Sequence, residues 1–201
     1  ADVPNVLVVP ASLGVKTLED FVKYGKANPG KVNYASTGVG TTSHLASFLF
    51  ASRAGFEAVH VPYKGADALK DLLTGRVQYM FATIPSVISH IHAGTLVAIA
   101  VSSTKRSRSL PEVPTVAESG YPGFDATSWF GMFAPKGTPP EIINILNKTT
   151  NDIIAEKNVE KRMVEEGADP VPGSPQQFGE FVRRETEKWR EVVKQSGASA
   201  N

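Results

Sequence analysis

The chain contains no cysteine, which excludes disulfides, thiol catalysis and cysteine-ligated metal sites. It has no surplus of either charge: 21 Lys and Arg against 20 Asp and Glu leave a formal net charge of +1. That balance gives no case for nucleic acid or an anionic membrane, and the run Lys105-Arg106-Ser107-Arg108 is short enough for a solvated loop. No apolar run approaches membrane-spanning length, and Ala1-Asp2-Val3-Pro4 lacks the character of a signal peptide, which fits a cytosolic chain or a mature exported one. Sequence signatures of catalysis are missing as well. There is no HExxH motif and no GxSxG elbow, and no acid–base or nucleophile–base pair stands out by spacing. His90 and His92 are two apart, so a helix points them to different faces, and no metal or cofactor is implied. With 201 residues, 41% of them hydrophobic, the chain holds one ordinary domain or two small lobes.

What is present centres on Lys31 to Phe50, KVNYASTGVGTTSHLASFLF. Val32 to Tyr34 reads as a short strand and Leu45 to Phe50 as a helix. Between them Ser36-Thr37-Gly38-Val39-Gly40-Thr41-Thr42-Ser43 is nearly all small, hydroxyl-bearing or glycine. Gly38 and Gly40 admit backbone angles that a side chain forbids. The hydroxyls donate and accept, and the free N–H groups of the helix's first turn point back toward the loop. A strand, such a loop and a helix N-terminus together make a site for an anionic group. No lysine follows Gly40, so this is not a Walker loop, and Ser43 occupies the third glycine of the dinucleotide fingerprint. Compensation by neutral dipoles alone suits a carboxylate better than a polyphosphate. The same residues also fit an ordinary turn capped by Thr41 or Thr42, and His44 is as ready to bond locally as to donate to an anion.

Along the chain, Asn5-Val6-Leu7-Val8-Val9 is a continuous apolar run, expected as a strand buried on both faces. Thr17-Leu18-Glu19-Asp20 resembles a capping box ahead of a helix with Leu18, Phe21 and Val22 on one face. Strands are expected over 58–61, 77–81 and 96–101, with helices over 66–73 and 85–93. That alternation implies βαβ crossovers and a mostly parallel sheet whose strand ends, at Ser36, the Tyr63–Gly65 turn, Ala82–Pro85 and Ser102–Ser103, share one rim. Ser128 to Ala134 reads as a second apolar strand, with Trp129 near the rim where an aromatic can stack on a ligand. Thr138-Pro139-Pro140-Glu141 and Ser174-Pro175-Gln176-Gln177 both look like helix starts. The second half thus offers two or three amphipathic helices, marked by Ile142, Ile145, Leu146 and Ile153 and by Phe178, Phe181, Val182, Trp189, Val192 and Val193. It offers almost no sheet for them to cover.

The segments YASTGVGTTSHL, VHVPYKG, LLTGRV, IPSVISHIHAGTLVAIAVSS, RSLPEVPTVAESGYPGF and SWFGMFAPKGTP, in that order, resemble the substrate-binding receptors of tripartite tricarboxylate transporters, the TctC or Bug family. The resemblance covers essentially the whole chain. It implies an α/β fold of the periplasmic-binding-protein (Venus flytrap) type, a periplasmic location, a small organic carboxylate as ligand and the membrane permease subunits as partners. It implies no catalysis. Carried over by position, Ser36, Thr37, Gly38, Gly40, Thr41, Thr42 and His44 form an anion cup flanked by Tyr63, Lys64 and Gly65. Ala82 and Thr83 stand where many members carry Asp-Asn, and losing that carboxylate favours an apolar or dianionic ligand. The family's proline–glycine–glycine ligand loop has no match here. On this reading residues 1–9 are a hinge strand, 10–125 the second lobe, and 126–201 a return hinge strand with C-terminal helices of an incomplete first lobe, and a chain this short self-associates. Two other functions use the same features: an effector-binding sensor domain, and an enzyme that holds its substrate in the anion loop.

Overall fold

The computed structural model describes residues 1–64 and 67–199. Its central strand is β2 (Asn5–Pro10), all six residues of which are buried. An apolar run without alternation needs cover on both faces, and β2 has it. Leu7 and Val9 enter one core with Phe21, Phe50, Tyr79, Phe81 and Phe124, while Val6 and Val8 enter the other with Leu72, Met80, Ile84 and Leu96. β2 runs antiparallel to both neighbours, β5 (Met80–Thr83) and β6 (Leu96–Val101). A second ladder pairs β3 (Asn33–Ser36) parallel with β4 (Val59–Pro62). The two join where Tyr34 lies beside Tyr79 and Ala35 N–H donates to Tyr79 O at 3.0 Å. The order is therefore β4-β3-β5-β2-β6, with every strand but β2 running the same way, as the alternating pattern implies.

Helices α1 (Leu18–Ala27), α2 (Thr42–Ala54), α3 (Asp67–Leu73) and α4 (Ile84–His92) cover the sheet. Thr17 caps α1 by accepting the Asp20 N–H, but its own hydroxyl donates to Asp20 Oδ2, so the reciprocal box does not form. β5 starts three residues later than the apolar pattern suggests, because Gln78 and Tyr79 bond to β3 before the chain reaches β2.

Past the sheet, β1 (Asp2–Val3) pairs antiparallel with β7 (Ser128–Trp129). Asn5–Val9 is taken up by the sheet, and within the expected hinge segment 1–9 it is the two residues of β1 that make the contact with Ser128–Trp129. Phe130 still exchanges backbone hydrogen bonds with Ala1, but among the described residues no strand lies beside 131–134, and Phe130, Met132 and Phe133 are 68%, 62% and 67% exposed. Three helices follow: α5 (Pro140–Ile154), α6 (Lys157–Glu165) and α7 (Pro175–Ser196). α5 lacks the expected cap, because Thr138 donates to Pro135 O and Pro139 stands at the cap position. α7 has the full reciprocal box, Ser174 with Gln177. It packs back on α2, with Trp189 against the first core and Phe178 and Phe181 edge-on to Trp129.

Candidate functional site

The carboxyl ends of β3, β4, β5 and β6 and the start of β2 gather at one rim. Ser36 lies opposite Pro62, Thr83 opposite Asn5, and Ser102 N–H donates to Asn5 O at 2.8 Å. Asn5 ties this rim to β7, its N–H donating to Ser102 Oγ at 3.0 Å and its Nδ2 to Ser128 Oγ at 3.2 Å.

The loop between β3 and α2 is held by its own side chains. Gly38 N–H donates to Ser36 Oγ at 3.1 Å, Thr37 N–H to Ser43 Oγ at 3.1 Å and Gly40 N–H to His44 Nδ1 at 3.1 Å. Thr41 Oγ1 donates to Gly38 O at 2.7 Å and accepts the His44 N–H at 3.4 Å, which makes it the cap of α2. Both expected glycines need their freedom, Gly38 at φ 137° and Gly40 at φ 77°. The bonds also change which donors an anion meets. The amides of Thr37, Gly38 and Gly40 are committed, whereas those of Val39, Thr42 and Ser43 have no hydrogen-bond partner among the described residues. Residues 36–44 contain no Asp, Glu, Lys or Arg. The cup is therefore a neutral set of dipoles at the N-terminus of a 13-residue helix.

Beneath the loop lies a pair that spacing alone does not reveal. Ser36 Oγ is 2.6 Å from His60 Nε2, and the His60 ring stacks on His44 with centroids 3.8 Å apart. Tyr34, beside His60 in the β3–β4 register, lies nearly parallel to both rings, with centroids 5.0 Å from His60 and 6.1 Å from His44. Burial lowers the pKa of both imidazoles, and the neighbouring His44 helps push His60 to about 4. A serine within reach of a histidine suggests a nucleophile and its base, but three features oppose that. Ser36 is fully buried, its oxygen also holds the Gly38 N–H, and a base of pKa about 4 takes a proton poorly. Among the described residues no carboxylate bonds the other His60 ring nitrogen.

Of the expected site residues, Gly40, Thr42 and Trp129 share one hollow of about 400 Å³, lined also by Leu45, Thr127, Ser128, Phe130 and Trp189. Ser36, Thr37, Gly38, Thr41 and His44 form its supporting loop. Tyr63 is placed beside Ser36 by its N–H to Ser36 O, but its hydroxyl is committed to Asp71 at 2.9 Å. Lys64 is exposed, and Gly65 lies outside the described residues. Ala82 does not line the hollow: it is buried within β5 opposite Val6. Thr83 is exposed and bonds Ser86 at the start of α4. His60, Leu45 and Thr127 join the site without being expected there, Ser43 enters from the expected loop, and Trp189 comes from the stripe of α7. Only for His60 was a signal present, in the parallel register that sets VHV beside NYA.

The family model for the tripartite tricarboxylate transporter family receptor, TctC, matches residues 1–198. A UPF0065 protein in the tcbD-tcbE intergenic region of Pseudomonas sp. (strain P51) is 40% identical over 203 residues, covering 100% of this chain and 60% of that protein. Protein BugT of Bordetella pertussis is 41% identical over 198 residues, covering 98% and 61%. Among solved structures, Rpa4515 of R. palustris with adipate superposes with a TM-score of 0.86 at 38% identity, covering 99% of this chain and 67% of that one. MatC of Rhodopseudomonas palustris with bound malate gives 0.77 at 29% identity, covering 96% and 67%. The chain thus spans about 60% of the length of the curated relatives it matches.

Proposed function

The chain belongs to the tripartite tricarboxylate transporter receptor family, and from that premise we propose that it captures a small organic carboxylate for delivery to a membrane permease. The observation that carries this reading is the set of unpartnered amides of Val39, Thr42 and Ser43 at the start of α2, in a loop without formal charge. A carboxylate suits them, because its single charge is balanced by helix-terminal N–H dipoles without a lysine or arginine. The hydroxyl of Thr42 adds a donor, and Leu45, Trp129 and Trp189 give an apolar wall for the body of the ligand. Solved relatives carrying adipate and malate support the same class. Location in the periplasm and hand-over to permease subunits follow the family. Capture without turnover agrees with the buried, weakly basic Ser36–His60 pair.

Gly40→Val tests the cup. A Cβ at Gly40 meets nothing within 4 Å, so the substitution acts through the backbone. At φ 77° a β-branched residue is strained, and relief moves the Gly40 N–H off His44 and the loop off its donors. Calorimetry against C4–C6 dicarboxylates, adipate and malate among them, is expected to show at least about tenfold weaker binding, or ~1.4 kcal/mol. Unchanged affinity would remove the cup from the site.

A further inference from the structure

We propose that His44 and His60 act as a neutral stacked pair that positions the anion cup, and that protonating the pair on acidification releases the cup's grip on its ligand. The inference rests on the carboxylate reading for its consequence but not for its structural core. His44 Nδ1 accepts the Gly40 N–H, which fixes the ring as the neutral tautomer with its proton on Nε2. A second proton goes to Nδ1, turns that acceptor into a donor and leaves the Gly40 N–H without its bond. His60 holds the other end of the loop through Ser36, whose oxygen carries the Gly38 N–H. Each ring thus anchors one glycine of the cup.

The pair is coupled by contact. With centroids 3.8 Å apart and planes within 10°, two imidazolium charges would oppose each other face to face. Among the described residues no charged side chain bonds either ring. β3 contributes Tyr34, stacked on both rings, and behind it stands Tyr79; burial keeps both phenols neutral, that of Tyr34 with its pKa raised to about 12. α2 contributes the Ser43 hydroxyl, and the turn after β4 contributes exposed Lys64 and Tyr63, whose hydroxyl is committed to Asp71 next to Arg76. With no Asp or Glu side chain bonded to either ring among the described residues, acid works against the stacked contact instead of being absorbed in an ion pair within the protein. His60 is therefore a positioning residue, acting on the ligand only through Ser36 and the loop.

Nitrogen-detected NMR of the full chain from about pH 7.5 to about pH 4 tests the core directly. At the upper limit His44 should show the Nε2–H tautomer. The Gly38 and Gly40 amide resonances should move with the imidazole signals, at midpoints below the ordinary histidine range, and His44→Gln should raise the His60 midpoint. Titration of either ring at about 6.5, with the glycine amides unmoved, would overturn the proposal. Calorimetry with adipate adds the ligand arm. Affinity should fall at least about twofold more between about pH 7.5 and about pH 4 in the parent than in His44→Gln, whose amide does not titrate. Equal pH ratios in the two proteins would overturn the release step. Adipate failing to bind at any pH would count against the carboxylate reading, while the NMR arm still decides the pair.

Discussion

At the scale of single residues, the cup depends on groups that are held neutral. His60 is kept well below the ordinary imidazole value of 6.5, at about 4, so the folded state resists a proton that the unfolded chain accepts. Stability is then complete above pH 6.5 and is lost as pH falls from there toward about 4. Tyr34 has the opposite window. Burial raises its hydroxyl from 10.0 to about 12, so stability is present below pH 10 and lost as pH rises toward 12. Urea midpoints followed across both ranges should decline at each end, and His60→Phe, which keeps the ring stack, should flatten the acid side. An acid limb unaltered by His60→Phe would place the sensitive group elsewhere. The residue scale is also where the sequence was least legible. Gly38, Gly40 and the capping Thr41 follow from local chemistry, but His60 reaches Ser36 only through strand pairing across 24 residues. At the expected strand end Ala82–Pro85, Ala82 is buried inside β5 and Thr83 closes the strand at the rim.

At the scale of elements, the sequence pattern matches the structure where a segment has its partner alongside over its whole length or caps itself, and departs from it where the partner is short. β6 lies where its apolar run predicts, and α7 starts at Ser174 because the Ser174–Gln177 box satisfies two amides of its first turn. Ser174→Ala removes one of those bonds and should cost about 1 kcal/mol, read as a lowered urea midpoint with an unchanged slope. A change within error would show that packing of α7 on α2, and not its cap, fixes the helix start. Ser128 to Ala134 shows the other case. Its sequence is as strand-like as β6, yet among the described residues pairing stops after Ser128 and Trp129 against β1 and Phe130 against Ala1. A strand is a relation between two segments, and only one of them is written in its own residues.

At the scale of the whole molecule, the two cores around the sheet account for the self-contained half of the chain, whereas the C-terminal helices keep an open apolar face. Phe133, Leu146, Phe178 and Phe181 line a groove of about 620 Å³, with Phe130 and Ile145 beside it at 68% and 60% exposure. Each large side chain left in water forgoes roughly 1.5–3 kcal/mol of burial. Prepared as these 201 residues, the protein should therefore self-associate, and Phe130→Ser with Phe133→Ser should shift light scattering toward monomer. A monodisperse parent monomer would contradict that expectation. The cup stands at the end of β3 and the start of α2, which pack into the first core, so carboxylate recognition can be tested there directly. Amide chemical-shift mapping during a dicarboxylate titration does so. The account predicts saturable shifts concentrated at Val39, Thr42 and Ser43 and reaching Thr127 to Trp129 across the hollow. Saturable binding whose shifts bypass 36–44 would contradict it.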